Sequence, residues 1–202
     1  DPFALRRAVN GIVRISKEHN LPFDIVRDLQ LLSKEYATFE FSKLEEFFLE
    51  RVRQYFKVNP SIVEAVLCSG ERELLSLGKK IEAVENMVKS EGFSESFSTF
   101  KRVANITKEI DLSVTFSVDT KLFEAKAEEI LYERYCQVSQ VKYDSYEEEL
   151  DALLGLKPEL ESFFNDVMVN VENLSIRNNR KALVASIYKS ILKIADIKEI
   201  SI

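Results

Sequence analysis

Two short stretches of the 202-residue chain gather residue types able to grip RNA. Lys101 and Asn105 are one helical turn apart and Arg102 lies beside them, so the three share a face if the segment is helical. Two cations suit phosphate, and an asparagine offers both a donor and an acceptor to a base edge. Phe97 and Phe100 lie just upstream. Each ring can pack in the core or stack on an unpaired base, as single-stranded RNA recognition commonly requires. The second stretch is "FFNDVMVNVENLSIRNNRKALV", residues 163–184. Its Phe163, Phe164, Val167 and Val169 read as core. Arg177 and Arg180, three apart, share a face near the start of the expected last helix, where free backbone N–H groups favour phosphate. The alternative for this pair is a solvated turn, or pairing with Glu172 or Asp166.

Other chemistry finds little material. The segment "SLGKKIE", residues 76–82, has a Gly-Lys pair but lacks the first glycine and the hydroxyl after lysine that a phosphate loop needs. Carboxylate pairs such as Glu147 with Glu149 and Glu128 with Glu129 read as solvated helix faces. The single histidine, His19, builds no metal cluster and has no evident nucleophile beside it. Cys68 and Cys136 show no CxxC spacing and read as reduced, mostly buried thiols of a cytosolic protein.

A net charge of −6 argues against indiscriminate nucleic-acid binding. The charge is uneven. Residues 1–90 carry 14 Lys/Arg and 14 Asp/Glu, whereas residues 91–202 carry 14 and 20, so 101–102 and 177–181 stand out as basic islands in an acidic half. No apolar run approaches the roughly 20 residues of a membrane span. The chain opens at Asp1 without methionine inside an apparent helix start, which is the expectation for a piece of a longer protein.

The elements that must position these residues are helices. Five glycines and four prolines in 202 residues leave few turns for a multi-stranded fold. Asp1 suits an N-cap and Pro2 a first helical position. Phe3, Leu5, Val9, Ile12, Val13 and Ile15 supply the apolar spacing, and Asn20 a stop. A second helix is expected from Pro22 with Ile25, Leu29 and Leu32. The "SKLE" at 42–45 reads as a capping box opening a third. Asn59 and Pro60 open a short helix that Ser69 and Gly70 end. Further helices are expected over 71–90, 100–110, 121–138, 146–154, 157–169 and 175–195. Residues 92–98 read as a polar and aromatic link at a domain boundary, and 111–120 as an ordered loop. No internal repeat is visible.

Several ordered blocks resemble one family: "DPFALRRAVNGIVRI" (1–15), "EHNLPFDI" (18–25), "FFLERVRQYF" (47–56), "FKRVANITK" (100–108), "LFEAKAEEILYE" (122–133), the 163–184 stretch and "IADIKEI" (194–200). Together they resemble the C-terminal part of the β subunit of bacterial, heterotetrameric glycyl-tRNA synthetase. The resemblance implies an all-α fold, with 1–91 a helical region continuing from an upstream HD-like domain and 92–202 a DALR-like anticodon-binding domain. "FALRR" at 3–7 lies upstream of that domain and is not its namesake. The chain departs from the family at Asn165, where an acidic residue usually follows the Phe pair, and at Asn178, where a small residue is more common. The resemblance further implies glycine tRNA and the α subunit as partners, in the cytoplasm, with no DNA or membrane. It places glycine, ATP and Mg on the α subunit and no cofactor on this chain, and makes Lys101, Arg102, Asn105, Arg177 and Arg180 the candidate tRNA contacts. A helical scaffold for subunit assembly and the related C-terminal domain of an arginyl-tRNA synthetase are the other readings.

Alone, the chain is expected to catalyse neither aminoacylation, ATP hydrolysis nor phosphodiester cleavage. Turnover that follows the protein through purification and vanishes on changing one of its own residues contradicts this.

Overall fold

The computed structural model describes residues 2–36 and 39–201. Among them the regular structure is helical: α1 (Pro2–His19), α2 (Arg27–Ser33), α3 (Phe41–Tyr55), α4 (Pro60–Cys68), α5 (Leu74–Lys89), α6 (Phe93–Ile106), α7 (Lys126–Ser139), α8 (Tyr146–Leu154), α9 (Lys157–Asp166) and α10 (Leu174–Leu192). Short 3-10 turns occupy Thr120–Leu122 and Ile197–Glu199. Among the described residues β-type pairing is confined to an isolated bridge between Asp24 and Glu73. The fold is all-α.

Local chemistry sets most of the starts. The Asn59 side chain accepts from the Ser61 N–H at 3.0 Å and Pro60 takes the first turn of α4. Ser145 caps α8 by accepting from Glu148 N–H. Asn173 caps α10 by accepting from Ser175 and Ile176. Asn20 adopts a positive φ of 51° beyond α1, the left-handed stop an asparagine tolerates. Asp1, the expected cap of α1, lies outside the described residues.

Several expectations need correction. Residues 22–25 are not helical, because 23–25 pair with 72–74: Ile25 N–H donates to Arg72 O at 3.0 Å and Leu74 N–H to Phe23 O at 2.9 Å. The Asp24 carboxylate then accepts from Val26 and Arg27 N–H and delays α2 to Arg27. The 42–45 capping box does not form, since Ser42 is already inside α3 and Glu45 faces Arg72 at 3.4 Å. Residues 93–98 are the first turns of α6 rather than a link, because Phe93 and Phe97 pack inward with ring centroids 5.0 Å apart. The turn is confined to Gly92 at φ +80°, a conformation an L side chain rarely adopts. The expected helix from 121 starts only at Lys126. Cys68, at the end of α4, is exposed beside Glu64, and Cys136 is half-buried; both thiols are free. In α1, Val9 and Val13 are buried but Leu5 and Ile15 are each 48% exposed.

One apolar core runs from Val9 to Ile200. Helix α5 is its axis, packing against α1, α4, α6 and α8, while α6, α7, α9 and α10 pack among themselves. The chain end returns to the first half. Asp196 N–H donates to Ala65 O at 2.8 Å, and Asn59 Nδ2 donates to Ser201 O at 3.0 Å. Lys80 Nζ reaches Lys193 O at 2.6 Å and Glu71 Oε2 at 2.8 Å. The proposed parts 1–91 and 92–202 are thus pinned by polar contacts as well as a shared core.

Tyr188 is buried, and its hydroxyl donates to Asp196 Oδ1 at 2.5 Å. Burial and the Asp196 carboxylate both push the Tyr188 hydroxyl well above its ordinary range, so it stays protonated as a donor. Replacing Tyr188 by Phe removes one bond to a charged acceptor and is expected to cost about 1.5–3 kcal/mol. Chemical denaturation of both proteins measures this.

Candidate nucleic-acid interface

Helix α6 buries Phe93, Phe97, Phe100, Val103 and Ala104 and turns Lys101, Arg102 and Asn105 outward. Arg102 and Asn105 are exposed and Lys101 is half-buried. Neither upstream ring is available to a base: Phe97 is 7% and Phe100 1% exposed. Aromatic rings instead support the cations. Lys101 Nζ lies 4.5 Å from the Phe97 ring centroid, and Arg102 Cζ lies 4.3 Å from that of Phe164 on α9. Each ring restrains a long side chain at low cost in solvation, and the outer side of each cation stays toward water. The expectation that Phe163, Phe164, Val167 and Val169 belong to the core holds.

The two arginines of the second stretch part company. Arg177 is half-buried on the first turns of α10, and among the described residues no carboxylate pairs with it. Arg180 is only 5% exposed, so it is an interior residue rather than a surface contact. Its Nε donates to Glu128 Oε1 at 2.9 Å, and its Nη2 to Glu128 Oε2 at 3.2 Å and Glu124 Oε2 at 2.9 Å. Its Nη1 donates to Met168 O at 3.1 Å. The partners are therefore Glu124 and Glu128 of the distant segment, not Glu172 or Asp166. Next to it the buried Asn179 exchanges two bonds with Asp119, accepting from its N–H at 2.7 Å and donating to its carbonyl at 2.9 Å.

Glu128 has no exposed surface and performs a second task. Its Oε2 accepts from the N–H groups of Glu124 and Ala125, each at 2.9 Å. That closes the N-terminal end of α7 and explains why the helix starts at Lys126. Sequence reasoning missed Glu124, Asp119 and Asn179, and its reading of Glu128 with Glu129 as a solvated face is overturned for Glu128, which Arg180 and two backbone N–H groups hold in the interior. A signal existed for α10: Asn179 and Arg180 precede the apolar Leu183 and Val184 by one turn, on the side that faces the core. Besides the direct packing of α6 on α10, α9 links the two basic islands: its Phe164 lies under Arg102, and Met168 just beyond its end is held by Arg180.

Three arginines of the first half are engaged locally. Arg53 pairs with Glu64 at 2.7 Å, Arg51 is buried against Glu50 and the Phe47 ring, and Arg14 is 4.0 Å from Glu18. Among the described residues no group of three His, Cys, Asp or Glu side chains could hold a metal ion. No helix is long and apolar enough to cross a membrane. An open cleft between α5 and residues 143–149 is lined by Lys79, Glu82, Asp144, Glu147 and Glu149, an acidic balance unsuited to phosphate.

Burial alone would raise the Glu128 carboxyl, but the bonds from Arg180 and from two backbone N–H groups outweigh it and hold it below the ordinary value of 4.5. A carboxylate held low in the folded state contributes stability above its unfolded value and loses it as pH falls through the folded one. Glu128→Gln is therefore expected to cost about 3 kcal/mol near neutral pH, since it leaves a buried guanidinium short of its counter-charge. The penalty relative to wild type should shrink as pH drops below 4.5. Urea denaturation of both proteins across pH 3–7 reads both effects.

A family model described as glycyl-tRNA synthetase beta subunit matches residues 1–68. The chain is 34% identical over 209 residues to the glycine–tRNA ligase beta subunit of Helicobacter pylori strain G27, an alignment covering 100% of this chain and 30% of that protein. It is 32% identical over 211 residues to the same subunit of Shewanella pealeana, covering 98% and 30%. With that of Acidobacterium capsulatum it shares 31% identity over 220 residues, covering 99% and 31%. The chain thus spans about 30% of the length of the curated relatives it matches. With the alignment running its whole length, the chain belongs to the glycyl-tRNA synthetase β subunit family.

Proposed function

We propose that this chain is the tRNA-holding C-terminal part of the β subunit of a heterotetrameric glycyl-tRNA synthetase, with residues 92–202 reading the anticodon. On this reading the chain itself catalyses nothing, and glycine, ATP and Mg are handled by the α subunit. The observation that supports it best is the outer face of α6. There Arg102 is held over Phe164 at 4.3 Å with Asn105 exposed one turn along, in a half of the chain that is otherwise acidic. Repulsion from the acidic surface confines an RNA to the few cations that point outward.

The contacts are then Lys101, Arg102 and Asn105, joined by Arg177 at the edge. Arg180 acts behind them by holding the 167–173 connection. Glycine codons all begin GG, so glycine anticodons share two cytosines. A cytosine edge asks for an acceptor at its amino group and donors at its ring nitrogen and carbonyl, which an asparagine and an arginine supply between them.

The test is a titration of the chain with the glycine anticodon stem-loop and with one whose two cytosines are replaced. Arg102→Ala and Arg177→Ala should each weaken binding and flatten its salt dependence by roughly one unit of log–log slope per lost phosphate contact, with helical content unchanged. Asn105→Ala should instead reduce the preference for the cytosine-bearing loop, by up to about 1–3 kcal/mol if it reads one base. Equal affinity of the wild-type chain for both loops rules out anticodon reading by this chain and leaves the scaffold reading in front.

A further inference from the structure

Helix α1 carries two apolar faces, and the described chain covers one of them. At about 100° per residue, Val9, Val13 and Ser16 fall together and are buried, with α3 and α5 as the packing neighbours. The adjacent arc holds Ala4, Ala8, Gly11 and Ile15, at the 4-3-4 spacing of a helix stripe, with Leu5 and Ile12 alongside. Ala4 and Ala8 are exposed, Leu5 and Ile15 are each 48% exposed, and a Cβ added to Gly11 would meet nothing within 4 Å. A soluble helix in its final surroundings presents charge on such a face; here Arg6 and Lys17 lie on another side, and Arg7, Arg14 and Glu18 border the stripe along one edge without interrupting it. The bare apolar surface is also concentrated. Of 13 large hydrophobic residues exposed among the described residues, eight fall within the first 39 positions: Phe3, Leu5, Ile15, Leu21, Leu31, Leu32, Tyr36 and Phe39.

We propose that this second face of α1 is the seat of the β-subunit polypeptide that leads into α1, so that the helix lies between two parts of one chain. The length of the relatives commits the surface to that occupant. They are about three times as long as this chain, which covers only 30% of them, so most of the subunit remains to be placed against it. The small side chains of Ala4, Ala8 and Gly11 let a helix or strand approach closely, while Leu5, Ile12 and Ile15 supply the apolar area that an interface core needs.

The experiment reads solvent access to this face with and without the rest of the subunit. Single cysteines are placed by Ala8→Cys or Ile15→Cys in a Cys68→Ser, Cys136→Ser background, in both the 202-residue chain and the full-length β subunit. Both positions are exposed, so the fold tolerates the change, and two positions guard against one variant failing. A thiol reagent should modify both rapidly in the short chain. In the full-length β subunit alone it should act at least about tenfold more slowly, as for a site reached only through local opening. Rapid modification in the full-length subunit overturns the proposal. So does slowing that appears only when the α subunit is added, or only as the concentration of the short chain is raised, since those results assign the face to another subunit or a second copy.

Discussion

The buried pair of Arg180 and Glu128 holds together everything that surrounds the candidate interface. Two charges far from water are costly unless nearly every polar atom is satisfied. Here the guanidinium makes two bonds to Glu128, one to Glu124 and one to the Met168 carbonyl, while the same Glu128 caps α7 through two backbone N–H groups. Three segments distant in sequence are thereby fixed to one point: the start of α7 with the two residues before it, the exit of α9 and the body of α10. The Asn179–Asp119 exchange adds the end of the 111–119 loop to the same knot. Such a constellation contributes less through net stability than through the geometry it permits, because bidentate bonds tolerate little displacement.

That geometry divides the arginines into two kinds. Arg180, Arg51 and Arg53 are neutralised by Glu128, Glu50 and Glu64 and add almost nothing to the outward field. Arg102 and Lys101 rest on aromatic rings instead, which restrain a side chain without cancelling its charge. A ring beneath a cation is thus a way to fix a positive charge on an acidic surface. It also explains why aromatic residues flank the basic islands in sequence although none of those rings is open to solvent. Phe97 and Phe164 serve the interface from below.

Much of this was legible before the fold. Asn59 with Pro60, and the helices expected over 146–154 and 175–195, depend on caps and burial that act within a few residues, so the sequence alone reveals them. The failures share one physical cause: a distant partner outweighed a local preference. Residues 22–25 gave up helix for pairing with 72–74. The capping box at 42–45 lost Glu45 to Arg72. Phe93 and Phe97 drew a polar-looking link into the core, and Arg180 found Glu128 from 52 residues away. Spacing placed Arg177 and Arg180 on a shared face correctly, yet α10 turns that face inward along its length, so the first residue keeps some access to water and the second has almost none. In α1 the spacing marked a helix but not its buried side, because a helix with two apolar faces does not say which is covered within these 202 residues.

The same core connects the two ends of the molecule. Helix α5 packs on α1 at one side and on α6 and α8 at the other, and Lys80 on α5 bonds the carbonyl of Lys193 just beyond α10. The chain end then crosses back to α4 through Asp196 and Ser201. Helix α5 thus joins α1 to the helix that carries Arg102 through direct packing. On the proposed reading, a load placed on α6 by a bound stem-loop is transmitted through packed side chains, which resist deformation because interiors are as dense as organic crystals. If the remainder of the subunit sits on α1, the position of a held anticodon is set relative to that remainder by this core alone. The stability of Arg180–Glu128 and of Tyr188–Asp196 then matters to tRNA placement as well as to folding, since each fixes an element that lies on the path between the two surfaces.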